Sequence, residues 1–208
     1  MTTTNRPGET GRSAGTNTAQ RILDAALVSF GSRGYEATSL DALAAGLGIT
    51  KQSILYWFPS KEALLQAVID RSAAEVGSAL DEALGQAGDG WDRIDALLKA
   101  VFRLAARRPD LFNLLREVTR LGAAAATGMA SALEPLIARA AGFLADEMAA
   151  GRMRQRDPRR VLLSTYSAVI GVATEVEVMR ALGYDLSVRT LVRRHTGPRE
   201  WLRRELAP

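Results

Sequence analysis

The chain has 208 residues, 47% hydrophobic and 24% charged, a balance that suits a globular protein with a real core. It has no cysteine, which excludes disulfides, thiolate metal sites and a cysteine nucleophile, and no run of about 18 apolar residues to form a membrane-spanning helix. Net charge is +4, but the excess sits late, at Arg152, Arg154, Arg156, Arg159 and Arg160 and again from Arg189 to Arg204. In the first 64 residues Arg6, Arg12, Arg21, Arg33, Lys51 and Lys61 are nearly matched by Glu9, Asp24, Glu36, Asp41 and Glu62.

Residues 1–17 are polar, without apolar periodicity, and are expected to form a disordered N-terminal arm. They do not read as a signal peptide, so the expected location is cytoplasmic. Asn17 or Thr18 caps a helix carrying Ile22, Leu23, Ala26, Leu27 and Phe30 on one face, stopped by Gly31 and Gly34. Thr38 opens a short helix, with Asp41 at the capping-box position, ending near Gly46. Gly48 turns the chain. Thr50 caps the next short helix, to about Trp57, and Ser60 caps a longer one to about Leu84.

GQAGDG (85–90) reads as a linker. Helices are then expected over Trp91–Arg107, Asp110–Leu121 and Ser131–Ala150, the last with Pro135 in its first turn. Residues 121–128 are ambiguous, because alanine favours helix and the two glycines a break. Gly151 suits a helix terminator, and Asp157-Pro158 starts a helix to about Leu182. A final helix covers roughly Ser187–Leu206, interrupted near Gly197-Pro198. No strand signal or repeat appears. The fold class is therefore all-α.

The segment SLDALAAGLGITKQSILYWF (39–58) fits a helix-turn-helix. Ala44 is small where two helices cross, and Gly48 suits a turn of positive φ. Leu43, Leu47, Ile49, Ile54 and Trp57 fall where the two helices share a core. An ordinary helical hairpin explains those apolar residues, but not the polar, cap-started second helix. That helix presents Thr50, Lys51, Gln52 and Ser53 at its N-terminal end, the part that enters the major groove in this motif. Gln52 can bond an adenine edge, Lys51 a guanine or a phosphate, and the hydroxyls either. Tyr56 can reach a phosphate unless it is a core aromatic; Lys61 can do the same unless it is merely a solvated surface lysine.

Residues 18–67 resemble the DNA-binding domain of the TetR family of repressors. The resemblance runs through Phe30–Gly34–Tyr35, Thr38, the Ala44/Gly48 pair and the Tyr56–Phe58–Ser60-Lys61-Glu62–Leu64 run. It adds Thr38 to the expected DNA-binding residues. It implies a three-helix head over 18–64, joined to a C-terminal helical bundle over 65–208 that binds an effector and dimerises. It further implies a homodimer on a palindromic double-stranded operator, usually as a repressor, released by a small molecule.

In the bundle, Ser164, Ala168, Gly171 and Glu175 form a helical stripe of mostly small residues. With Leu186, Leu191 and Trp201 it is a candidate dimer surface, unless it packs within its own subunit. Candidate effector-lining residues are Phe102, Phe112, Leu115, Met129, Phe143, Tyr166 and Ile170, each also open to plain core packing. Few polar groups accompany them, which favours an apolar effector. Glu175 and Glu177 suit either a cationic ligand or pairing with Arg180 or an arginine across the dimer, and pairing is favoured because buried carboxylates usually need a partner. The only histidine, His195, lies far from any Ser or Asp constellation, and no phosphate loop or metal spacing appears. An enzyme is thus disfavoured, and no cofactor, metal or membrane partner is expected. A constitutive DNA-binding protein without effector, or an activator, stays open.

Overall fold

A computed structural model of the protein describes residues 9–88, 90–174, 181, 183 and 196–207. Among them run nine helices: α1 (Glu9–Arg33), α2 (Leu40–Leu47), α3 (Lys51–Trp57), α4 (Lys61–Gly85), α5 (Trp91–Arg107), α6 (Pro109–Arg120), α7 (Ala123–Ala149), α8 (Pro158–Thr174) and α9 (Thr196–Leu206). No strand occurs among the described residues. The all-α class follows.

Local side-chain hydrogen bonds set four of these nine helix starts. Ser39, Thr50 and Ser60 accept the Ala42, Ser53 and Ala63 backbone N–H groups, each at 3.1 Å. Asp157 accepts those of Arg159 and Arg160 at 2.9 and 3.2 Å, ahead of Pro158. Each cap satisfies donors that the first helical turn leaves unpaired.

Four starts or stops differ from expectation. α1 reaches back to Glu9, so residues 9–17 are helical and not a structureless arm; extending an existing helix needs no new nucleus. Gly31 does not end α1; it lies inside it. A Cβ there would meet the Asn113 Cβ at 3.1 Å and the Asp110 carbonyl at 3.2 Å, so this glycine lets α6 approach. Gly34, at φ +92°, is the actual stop. The cap of α2 is Ser39 and not Thr38, which moves Asp41 off the capping-box position. Finally, α7 begins at Ala123, after Gly122 at φ +89°. Its alanine run favours helix, and Pro135 therefore sits inside the helix, where the Ser131 carbonyl loses its usual donor.

Two cores hold the helices. The first gathers Ile22, Ala26 and Phe30 of α1, Leu43 and Ala44 of α2, Ile54 of α3, Leu64, Val68 and Ile69 of α4, and Phe112, Leu114 and Val118 of α6. Ile22, Phe30, Ile54 and Leu64 are fully buried, each worth about 1.5–3 kcal/mol against exposure. This core continues through residue 64, where the head was expected to end. The second core packs Ile94, Leu98 and Phe102 of α5 with Leu144 and Met148 of α7, Val161 of α8, and Leu202 and Leu206 of α9. Beside it the buried Glu147 takes two 2.8 Å hydrogen bonds from the Arg152 guanidinium.

One ion pair ties the head to the body, and another joins helices within the body. Arg71 of α4 pairs with Asp24 of α1 and donates to the Gln20 carbonyl at 3.2 Å. Arg108 bridges Glu75 of α4 and Asp110 of α6.

Candidate nucleic-acid interface

The turn between α2 and α3 decides where the second helix points. Gly48 sits at φ 66°, ψ 32°, the left-handed region. The Ile49 N–H then reaches the Ala44 carbonyl at 3.0 Å, closing the end of α2. Ala44 and Ile54 are buried beneath, while Leu47 and Ile49 pack at the edge. The expected crossing and its shared core are present, with one exchange. Trp57 is 38% exposed and stands outside the core; Phe58 takes the seat against it. Trp57 is the last residue of a seven-residue helix, where the chain already turns away.

With that core facing inward, the first turn of α3 faces out. Lys51 and Gln52 are exposed. The Lys51 ammonium lies 2.8 Å from Asp41 Oδ2, across the turn. Thr50 and Ser53 face each other, their hydroxyl oxygens 2.9 Å apart, while Thr50 also caps the helix. Part of their hydrogen-bonding capacity is thus spent on holding α3 open. Tyr56 is 81% exposed, its ring edge-on to Trp57 at 5.2 Å. It is not a core aromatic.

Lys61 opens α4 with its ammonium 4.1 Å from the centroid of the Tyr35 ring, and donates to the Glu36 carbonyl at 3.5 Å. Tyr35 itself is a junction. Its ring packs on Phe30 at 5.3 Å, and its hydroxyl donates to Glu62 Oε1 at 3.2 Å. Its backbone N–H donates to Glu117 Oε1 of α6 at 2.7 Å. Burial, with the Glu62 carboxylate beside it, pushes the Tyr35 phenol up to about 12. The Glu62 carboxyl is lowered by the backbone and Ser60 donors at its helix start and by Tyr35.

Thr38 does not join this surface. It is 4% exposed, and its hydroxyl donates to the Gly34 carbonyl at 2.8 Å and toward that of Ser29 at 3.3 Å. It ties the α1–α2 turn together and is withdrawn from the expected DNA contacts. Sequence reasoning also missed Asp41, Tyr35 and Glu117. Only Asp41 left a signal, as a carboxylate in the first turn of α2.

The expected effector-lining residues do not converge. Phe112 is buried in the first core, with Met129 packed against it. Phe102 is buried in the second, with Phe143 at its edge. Leu115 is partly buried, and Tyr166 is 41% exposed. For Ile170, Ala168 and Gly171 only the helical backbone is described. Of the dimer stripe, Ser164 is exposed, and Trp201 packs against the second core. Glu175, Glu177, Arg180, Leu186, Leu191 and His195 lie outside the described residues. Among the described residues no group of His, Cys, Asp or Glu could hold a metal ion, and no helix is long and apolar enough to cross a membrane.

Residues 22–68 match the family model described as bacterial regulatory proteins, tetR family. The chain is 27% identical over 150 residues to the HTH-type transcriptional repressor KstR of Mycolicibacterium smegmatis, spanning 72% of this chain and 70% of that one. It is 48% identical over 48 residues to the HTH-type transcriptional regulator RutR of Escherichia coli K12, a match over 23% of each. The whole architecture is similar to that of the regulator FadR of Bacillus subtilis, solved with stearoyl-CoA, at a TM-score of 0.74 and 19% identity over 88% of this chain and 96% of that one. Residues 22–68 thus form a tetR-type helix-turn-helix head, and the chain as a whole shares the fold of the tetR-family regulators it resembles.

Proposed function

We propose that the protein is a repressor that reads a palindromic operator as a homodimer and leaves it when a small molecule binds its helical body. The observation that carries the reading is the exposed first turn of α3, held outward by the Thr50 cap and the left-handed Gly48. Lys51 and Gln52 are the base-reading side chains, and Tyr56 and Lys61 hold the backbone. Thr50 and Ser53 serve chiefly to shape the turn.

One head covers too few base pairs for useful discrimination, so two must act together, about 34 Å apart. An exposed side of α8 supports a paired body: Leu163 is 64% exposed, with Ser164, Tyr166 and Ser167 beside it. The body would be residues 65–208, with the qualification that α4 and α6 also belong to the head's core. That shared core supports a route for release. α6 lies against Gly31 and holds the Tyr35 N–H through Glu117, so a shift of α6 moves α1 and the α1–α2 turn. The stearoyl-CoA in the similar FadR structure is a precedent for a ligand with a long apolar chain in this fold. KstR, named a repressor, supports the direction of control.

Selection of bound duplexes from random-sequence DNA by the full chain tests the reading. The expected product is a two-fold symmetric site with half-sites about 10 base pairs apart. A single asymmetric site would refute the dimer, and no enrichment at all would refute sequence reading. Effector release requires that operator DNA weaken effector binding by the same factor that the effector weakens operator binding.

A further inference from the structure

The Lys51–Asp41 pair joins the first turn of α3 to the first turn of α2, on the surface assigned above to DNA. Both side chains are well exposed, 46% and 69%, yet the ammonium and carboxylate stand 2.8 Å apart. As a stabilising contact it is worth little, because exposed pairs contribute roughly 0–1 kcal/mol. Its consequences for an approaching duplex are larger. DNA attracts any free lysine through its phosphates, whatever the sequence. A lysine matched by a carboxylate presents no net charge to the backbone, and the near-neutral head follows partly from this pair. An ammonium has three donors. Asp41 occupies one, and the others can address guanine O6 and N7. The flexible four-carbon stem, which otherwise samples many rotamers, is biased toward one direction before DNA arrives. Lys61 is placed differently, with its ammonium over the Tyr35 ring.

We propose that Asp41 is a specificity-determining positioning residue, whose carboxylate aims Lys51 at base edges and keeps it from the phosphates. The inference rests on the DNA-reading surface proposed above. Asp41 also lies in the acidic first turn of α2, where it favours the helix dipole. That helical role predicts a small loss of stability and a uniform loss of binding, not a change in discrimination.

The test compares the full chain with Asp41→Asn, Lys51→Ala and the double variant. Each is titrated with a duplex selected from the random pool and with a scrambled duplex of equal length, from 50 to 200 mM salt. The readout is the ratio of the two affinities. Thermal unfolding verifies that Asp41→Asn folds, and only folded variants are compared. For Asp41→Asn the ratio is expected to fall about fivefold, the low end of what one base contact carries. Binding to the scrambled duplex should gain salt slope by about 0.9, one additional phosphate contact. In the Lys51→Ala background the same substitution should leave the ratio where Lys51→Ala alone puts it. An unchanged ratio for Asp41→Asn beside a reduced one for Lys51→Ala overturns the positioning role and leaves the DNA surface standing. An equal fall with and without Lys51 overturns it too, because Asp41 then acts alone. If Lys51→Ala changes neither ratio nor slope, the DNA-surface assignment of Lys51 fails, and the inference fails with it.

Discussion

Two glycines at the end of α2, Gly46 inside the helix and Gly48 just past it, should respond in opposite directions to the same methyl group. Gly48 has φ 66°, and a Cβ built on it meets nothing within 4 Å. Gly48→Ala therefore costs only the left-handed backbone, about 1–2 kcal/mol. Gly46 is helical and exposed, and its Cβ also meets nothing within 4 Å. There alanine should stabilise by about 0.5–1 kcal/mol, by removing backbone freedom from the unfolded chain. The two variants should thus differ by roughly 2 kcal/mol, with the parent between them. For a chain of this size that spans about 4–8 °C in thermal midpoint. Urea unfolding at one protein concentration, followed by circular dichroism, measures both midpoints and slopes. Gly48→Asn should fall closer to the parent than Gly48→Ala, because asparagine tolerates the left-handed region better. A Gly48→Ala variant as stable as the parent, or two shifts of the same sign, would refute the account of the turn.

Replacing Lys51 or Gln52 by alanine should weaken the selected duplex by about 1–3 kcal/mol per lost base contact and relax specificity at one position, as read by competition with single-base variants. Lys61→Ala should weaken all duplexes alike and reduce the salt slope by about 1. Tyr35 makes stability depend on alkaline pH. Its folded-state pKa of about 12 exceeds the ordinary 10.0, so its contribution is full below pH 10 and disappears as pH rises toward 12. Burial raises the Tyr166 phenol as well, so titration by tyrosinate absorbance should show delayed ionisation whose component near pH 12 Tyr35→Phe removes. Loss of an early-ionising tyrosine in that variant would contradict the burial argument.

Much of the head is legible from the sequence because its signals are local. A serine or threonine cap bonds a backbone N–H three residues on, as Thr50 and Ser60 do. The left-handed Gly48 likewise needs only its own missing Cβ. These interactions span few residues, so their partners stand close together in the sequence. The outward first turn of α3 follows from them, and with it the DNA-binding reading.

What the sequence alone left open depends on residues far apart in the chain. Gly31 looks like a helix stop until Asp110 and Asn113 of α6 lie against it. Thr38 looks like a cap until its hydroxyl turns to the carbonyls of Gly34 and Ser29. Tyr35 gains its anchor from Glu117, 82 residues on, and Lys51 its partner from another helix. The candidate effector residues read as one apolar set, yet Phe112 and Met129 pack in one core, Phe102 and Phe143 in the other, and Tyr166 is exposed. Apolar character alone says that a side chain is buried, not beside what. By itself the sequence determined the all-α class and where the turn proposed to read DNA begins. Tertiary packing decided which polar groups that turn leaves outside and how firmly the head is joined to the body, because those depend on which helices meet.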